Sequence, residues 1–480
     1  MKKILHFLLT GVILFATSCA QFTDIQPKGK NLLSTTDELE LLLNREFYQS
    51  GSDFNQMAGD MLYTFSNVST QLSMPNKTRG VIMWTWDDSN QDKMAELTSS
   101  DSDYTEFYSI IGRVANPVIA KVDEALGSES TKKQLKAEAL VLRAYNHYLA
   151  VNKFAKAYNP ATAESDGGIP YMMHDWDISQ PSEQATVQQV YDNIIADVDA
   201  ALALNALPDV SINKMRISKP AAYAVKAWAL MSMQKYDEAV SAARSVLAIN
   251  DAIANYNEMI IMVQGYLFGG QYPAVLRPQM KCEEDLFYVH NLEFFNARTP
   301  ESEARFEPGH ASLDKMSSDK MMYDFFPGMG MGMSYLGLDY AFSYDLDSGW
   351  NHMGLKTTHM YLILAESEIH KGNINAAMEI IDKIRVNRID PSVYEPLVGK
   401  VTSKEDAIFR LKQTSHGENN YSCYNFIQRK RWNQIPGWEE DFTRDLAGHK
   451  FTLRHDSPMW IFPFPRNVIN NNPNIKQNYK

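Results

Sequence analysis

Two stretches of the chain set flat aromatic rings beside amides and carboxylates, a combination suited to holding a sugar. A sugar ring presents apolar C–H faces and hydroxyl edges, so its site needs aromatic platforms flanked by hydrogen-bonding side chains. Trp84-Thr85-Trp86-Asp87-Asp88, followed by Asn90 and Gln91, is the first such stretch. Tyr335, Tyr340, Tyr344 and Trp350, interspersed with Asp339, Asp345 and Asn351, make the second. If Trp84 and Trp86 lie on a strand, alternation puts both on one face. The candidate ligand-binding residues are therefore Trp84, Trp86, Asp87, Tyr335, Tyr340 and Trp350. Each ring has an alternative use in core or loop packing, so each cluster carries more weight than its members.

Covalent chemistry has no comparable footing. The sequence contains no His-Glu-x-x-His, Cys-x-x-Cys, Gly-x-Ser-x-Gly or phosphate-binding loop. The Gly328–Gly337 run lacks the Lys-Ser/Thr and following helix that phosphate binding needs. His352 and His359 stand seven apart, a spacing open to one helix face and equally to unrelated histidines. Asp345-Leu346-Asp347 with Gly349 resembles the start of a calcium loop but lacks its later bidentate Glu. Asp87 and Asp88 are adjacent, and adjacent carboxylates do not flank one glycosidic bond from opposite sides. No catalytic residue, metal ligand or cofactor is expected.

The elements that must position these residues are mostly helical. Val190, Ile194, Val198 and Leu202 recur at helical spacing behind a Thr186/Gln189 capping box. Phe107 to Val122 and Leu135 to Leu149 carry similar stripes, with Pro117 breaking or restarting the first at Asn116. Further helices are expected from Ser218 with Pro220 in the first turn, over Tyr236–Ile249, Thr357–His370 and Asn373–Asn387, and over Ser403–Lys412. The helical frame thus covers about residues 104–250 and 355–412, and loop-rich regions cover about 51–103, 251–354 and 413–480. A long irregular segment such as 251–354 is uncommon in a compact domain and tends to be functional. Tyr223, Ala227 and Ala239 recur as Tyr361, Ala365 and Ala377, all offset by 138 residues. Within each copy the alanines stand 12 apart, a spacing that suits the close crossing of tetratricopeptide helices, though any antiparallel pair favours alanine where its helices cross.

At the N-terminus, Met1-Lys2-Lys3, the apolar run Ile4 to Phe15 and Ala16-Thr17-Ser18-Cys19 form a secretory signal. Cys19 at the cut resembles a bacterial lipobox, with Ala16 where Leu is usual. The expected organisation is a signal peptide at 1–18, a lipid-anchored tether at 19–35 and a body at 36–480. No later apolar stretch reaches the roughly 20 residues that span a bilayer. With 58 acidic against 46 basic residues the net charge is −12, which argues against nucleic acid as a partner. Cys282 and Cys423 are too few for a disulfide framework and read as two buried thiols.

Taken together, these features resemble the SusD/RagB family of Bacteroidetes lipoproteins. Phe22-Thr23-Asp24-Ile25-Gln26-Pro27 is similar to its motif after the lipid cysteine, and Tyr108 to Asn116 to its first conserved helix. Leu142-Arg143-Ala144-Tyr145 with Gly168-Ile169-Pro170-Tyr171 resembles its second helix and exit loop. Tyr361 to Ser367 and Ile384 to Arg388 resemble two more helices. Trp460-Ile461-Phe462-Pro463-Phe464-Pro465, Asn472-Pro473-Asn474 and Gln477-Asn478-Tyr479 resemble its closing signature. The span Arg410 to Glu418 departs from the family's Glu-Arg-x-x-Glu-Leu-x-x-Glu-Gly block, and only Arg429, Arg431 and Trp432 match the Arg-rich helix after that block.

The resemblance implies a mostly α, SusD-like fold, with four tetratricopeptide-like helix pairs framing a long loop-rich ligand-binding insertion. It implies a cell-surface lipoprotein, held in the outer membrane through lipid on Cys19, that captures glycan for a SusC-like TonB-dependent transporter. Capture of peptides or glycopeptides is the alternative on the same fold. An all-helical glycoside hydrolase and a protein-binding scaffold are the alternatives from other classes.

Overall fold

The computed structural model describes residues 33–45, 51–62, 66–173, 181–264, 271–275, 282–289, 297–314, 351, 353–419 and 421–480. The signal and lipid expectations at residues 1–32, Cys19 included, fall outside these, as do Tyr335, Tyr340, Tyr344, Trp350 and His352.

Side-chain caps start the frame's helices where backbone N–H groups lack helical partners. Helix α1 (Thr36–Leu43) opens on a reciprocal box between Thr35 and Glu38. Short helices α2 (Ser52–Met57), α3 (Arg79–Trp84) and α4 (Ser102–Ile110) follow, then α5 (Asn116–Lys121). Between α4 and α5 the chain makes one π turn, Ile111–Ala115. Pro117 has no N–H to give and would crowd the carbonyl one turn back; the wider turn accommodates both, so the chain passes Asn116 without a break. The long α6 (Glu129–Phe154) packs on α7 (Val187–Ala203), which opens on the expected Thr186/Gln189 box.

Two hairpins complete the frame: α8 (Lys219–Ser232) with α9 (Tyr236–Leu247), and α10 (Thr357–Lys371) with α11 (Ile374–Arg385). Ala227, Ala239, Ala365 and Ala377 are all fully buried, as close helix crossings require. The turns are also alike. Lys235 N–H donates to Leu230 O and Gln234 N–H to Met231 O; 138 residues on, Asn373 donates to Glu368 and Gly372 to Ile369. These are the same helix-ending cap made twice. Its left-handed position holds Gly372 (φ 79°) in one copy and Gln234 (φ 59°) in the other. A side chain costs about 1–2 kcal/mol there. Gln234→Gly is therefore expected to raise stability by about 1 kcal/mol, and Gly372→Ala to lower it comparably, read from urea midpoints.

Several resembling motifs form one joint. Arg143 grips Asp197 with two hydrogen bonds (2.7 and 2.6 Å) and donates to Asn116 Oδ1 and Met173 O. Tyr171 donates to Asp197 (2.6 Å), and Tyr108 donates to Pro170 O (2.8 Å). Gly168 is required here, since a Cβ would stand 2.7 Å from Ala185 O. The C-terminal signature then wraps the end of α6. Phe464 stacks on Phe154, and Asn478 donates to Phe154 O and Gly168 O.

Two stretches expected to be loop-rich carry helix. Residues 51–103 hold α2, α3 and turns of helix at Val68–Leu72 and Gln91–Leu97, each too short to display a period. Residues 413–432 hold the end of α12 (Lys404–Glu418), which runs past the expected Lys412, and all of α13 (Cys423–Trp432). Every residue of α13 is buried, cations included, so no apolar stripe marks it. Arg431 instead pairs doubly with Glu366 of α10, to which Trp432 Nε1–H also donates (3.0 Å). Burial pushes the Glu366 carboxyl up, but Arg431 outweighs it and holds the group near 2. Glu418, at the end of the departing block, pairs with Arg388 beside Glu284. Cys282 and Cys423 are buried and are not joined in a disulfide.

Candidate functional site

The insertion between α9 and α10 is tied to the body by antiparallel pairs of short strands. Strand β1 (Met61–Leu62) pairs with β5 (Ala297–Arg298), and β4 (Asp285–Phe287) with β6 (Leu355–Lys356). Strands β2 (Ile260–Gln264) and β3 (Gln271–Val275) form a ribbon of their own. The β4–β6 joint is closed by Asn351. Its amide donates to Phe287 O (2.7 Å) and Asp285 Oδ1 (3.1 Å), and its oxygen accepts from Val289 N–H. The residue after Trp350 is thus fixed to the frame.

The β1–β5 joint ties residues 61–62 of the body to residues 297–298 of the insertion. Thr299 N–H donates to Asp60 O and Thr299 Oγ1 to Gly59 O (2.7 Å). Arg298 is buried between Phe306 and Tyr421 and donates to the Tyr421 hydroxyl. Beneath it Asp60 receives Arg429 (2.8 Å), which also donates to Ala58 O and His416 Nδ1. Burial, then the nearby guanidinium groups, hold His416 well below the usual histidine range, so it is neutral. Sequence reasoning missed Arg298 and Tyr421, which sit in no recognisable motif.

Trp84 and Trp86 are not platforms. Trp84 ends α3 and Trp86 follows it in a left-handed conformation (φ 48°), so the strand alternation expected for them does not exist. Their rings are only 4% and 5% exposed. The Trp84 indole donates to Gln56 Oε1 and the Trp86 indole to Met57 O, each at 2.9 Å. Arg444 stacks 4.2 Å from the Trp86 ring and donates to Trp84 O. Both rings and both indole N–H groups are committed to the core, which corrects the assignment of these two residues to a ligand site. Gln91 is committed too, donating to Pro458 O and Ile461 O. Asp87 remains near the surface. Burial pushes its carboxyl up, but hydrogen bonds from Lys77, Ser89 and Asn90 prevail and hold it below the usual value.

Among the described residues no group of three or more His, Cys, Asp or Glu side chains could hold a metal. His359 is buried and hydrogen-bonded to Asn419 (3.0 Å). The buried carboxylates Glu284 and Glu418 share Arg388 and reach no solvent. No described helix is long and apolar enough to cross a membrane.

Residues 28–228 match a family model described as SusD-like, starch-binding associating with outer membrane. No curated protein matches. Solved structures share the fold across nearly the whole chain. A SusD superfamily protein from Bacteroides thetaiotaomicron is 16% identical, with 92% of this chain and 99% of that one covered at a TM-score of 0.63. One from Bacteroides fragilis is 13% identical, with 93% and 100% covered at 0.65. A SusD-like carbohydrate binding protein from Bacteroides vulgatus is 14% identical, with 93% and 98% covered at 0.61.

Proposed function

We propose that this chain, whose residues 28–228 match a SusD-like family model and whose fold is shared by SusD superfamily structures, is a SusD/RagB-type protein that captures oligosaccharide or polysaccharide without altering it and delivers it to a SusC-like TonB-dependent transporter. Lipid on Cys19 holds it to the outer membrane, with residues 20–35 as the tether. The observation that carries the reading is the β1–β5 joint, which fastens the aromatic-rich insertion, through residues 297–299, to residues 59–62 of the body. With Trp84 and Trp86 buried, the stacking platforms are Tyr335, Tyr340 and Trp350, and the insertion is the binding face. Asp87 and its neighbours are suited to hydrogen-bonding sugar hydroxyls at its edge. The absence of catalysis is supported by the pairing of the buried carboxylates with guanidinium groups.

The test is affinity electrophoresis of the full-length chain in detergent, through gels containing plant, fungal or host polysaccharides, with reducing ends assayed in parallel. Retardation by one glycan class without new reducing ends is the expected result. Retardation by none, with calorimetric binding of peptides instead, would overturn it in favour of peptide capture. New reducing ends would make the protein a hydrolase.

A further inference from the structure

A second concavity lies away from the insertion, where the end of α6, α13 and the C-terminal signature meet. It is a cavity of about 320 Å³, lined among others by Asn159, Asp166, Lys430, Gln434, Trp460 and Tyr479. Small-molecule sites begin at about 300 Å³, so its size suits one small polar ring. None of these residues belongs to the segments that anchor the insertion.

The lining is neither a spent core nor a charged patch. Lys430 is 3% exposed and donates to Asn152 O (2.8 Å) and Ala155 O (2.5 Å), the last carbonyls of α6. An ammonium has three donors, and two are used. Burial pushes this amine down to about 7, so near neutrality it is divided between an ammonium with a third N–H to give and an amine whose two N–H groups are both used. The Gln434 amide oxygen accepts from Asn159, while its Nε2–H₂ has no partner among the described residues. His455 also lines the cavity, with Nδ1 hydrogen-bonded to Asp441 (2.8 Å). The full charges pair off locally, Lys156 with Asp166 and Arg454 with Asp456. Tyr479 supplies the aromatic surface, while Trp460, 4% exposed and donating its indole N–H to Arg454 O, backs the wall. An unspent amide N–H₂ beside an aromatic ring, with Lys156 and Asp166 of the lining paired to each other, matches a neutral polyol.

We infer that this cavity is a second binding site, of single-ring size, for a neutral hexose. It rests on different residues from the capture site and stands or falls without it. The test uses the full-length protein with glucose, galactose and mannose as probes, followed by saturation-transfer NMR and calorimetry. Gln434→Ala and Asn159→Ala remove amides from the lining without touching the Lys430 contacts to α6. Saturation transfer to at least one hexose, weakened about tenfold by either substitution, is the expected result. Polysaccharide retardation in gels should not change in these variants. Absence of saturation transfer, or hexose binding indifferent to both substitutions, would overturn the inference. Loss of polysaccharide retardation in the unsubstituted protein would count against the capture reading alone.

Discussion

Lys153→Met is expected to cost about 3–5 kcal/mol and to leave a protein more stable in mild acid than at neutrality. Lys153 is wholly buried at the end of α6, with its ammonium 2.8 Å from Asp101, 2.7 Å from Asp103 and 3.2 Å from Asp53. Arg79 makes a second contact to Asp53 (2.6 Å). Phe54, Phe154 and Phe462 ring the amine, so little water reaches it. Without the lysine, three carboxylates face an apolar wall with one guanidinium nearby. The signs within the cluster differ. Burial pushes Asp53 up, but Arg79 and Lys153 win and hold it far below its ordinary value. Its contribution is present above the unfolded pKa of about 3.9 and fades as pH falls through the folded one. Burial, only partly offset by Lys153, leaves Asp103 above its ordinary value. Asp103 therefore favours the fold below about pH 3.9 and loses that contribution as pH rises through its raised pKa. In the variant the stranded carboxylates behave like Asp103. The gap between parent and variant should narrow as pH falls from 7 to 5 in urea titrations. A gap independent of pH would mean the lysine acts only by filling space.

Trp86→Ala is expected to cost about 3–5 kcal/mol while leaving ligand affinity of the folded protein unchanged. The ring fills the space beside Gly59, where a Cβ would come within 2.9 Å of it. Its loss opens a cavity, frees the Met57 carbonyl of its donor and strips Arg444 of its stacking surface. Thermal midpoints measure the first effect and affinity gels of the folded fraction the second. Lost affinity at an unchanged midpoint would return Trp86 to the ligand site.

The helical frame was readable because its caps and stripes are local. The Thr186/Gln189 box and the 138-residue offset of Ala227 and Ala239 appear in the structure as expected. Helix α13 was not readable, because burial of Arg429, Lys430 and Arg431 depends on partners 65 to 371 residues away. The same limit applies to the site. Nothing in Trp84-Thr85-Trp86 tells a tryptophan that stacks on a sugar from one whose indole donates to Met57 O. The expected strand placed both rings on one face; a short helix and a left-handed residue placed them in the core. In the polar part Gln91 is likewise spent inside, while Asp87 stays near solvent with its carboxylate accepting from Lys77, Ser89 and Asn90.

The central claim is that glycan rests on the aromatics of the insertion. Its most direct test compares Tyr335→Ala/Trp350→Ala with the parent in affinity gels containing the glycan that retards the parent most. Two stacked rings contribute roughly 1–3 kcal/mol, so the account predicts a loss of about ten- to a hundredfold with the thermal midpoint unmoved. Unchanged retardation in that variant would contradict it.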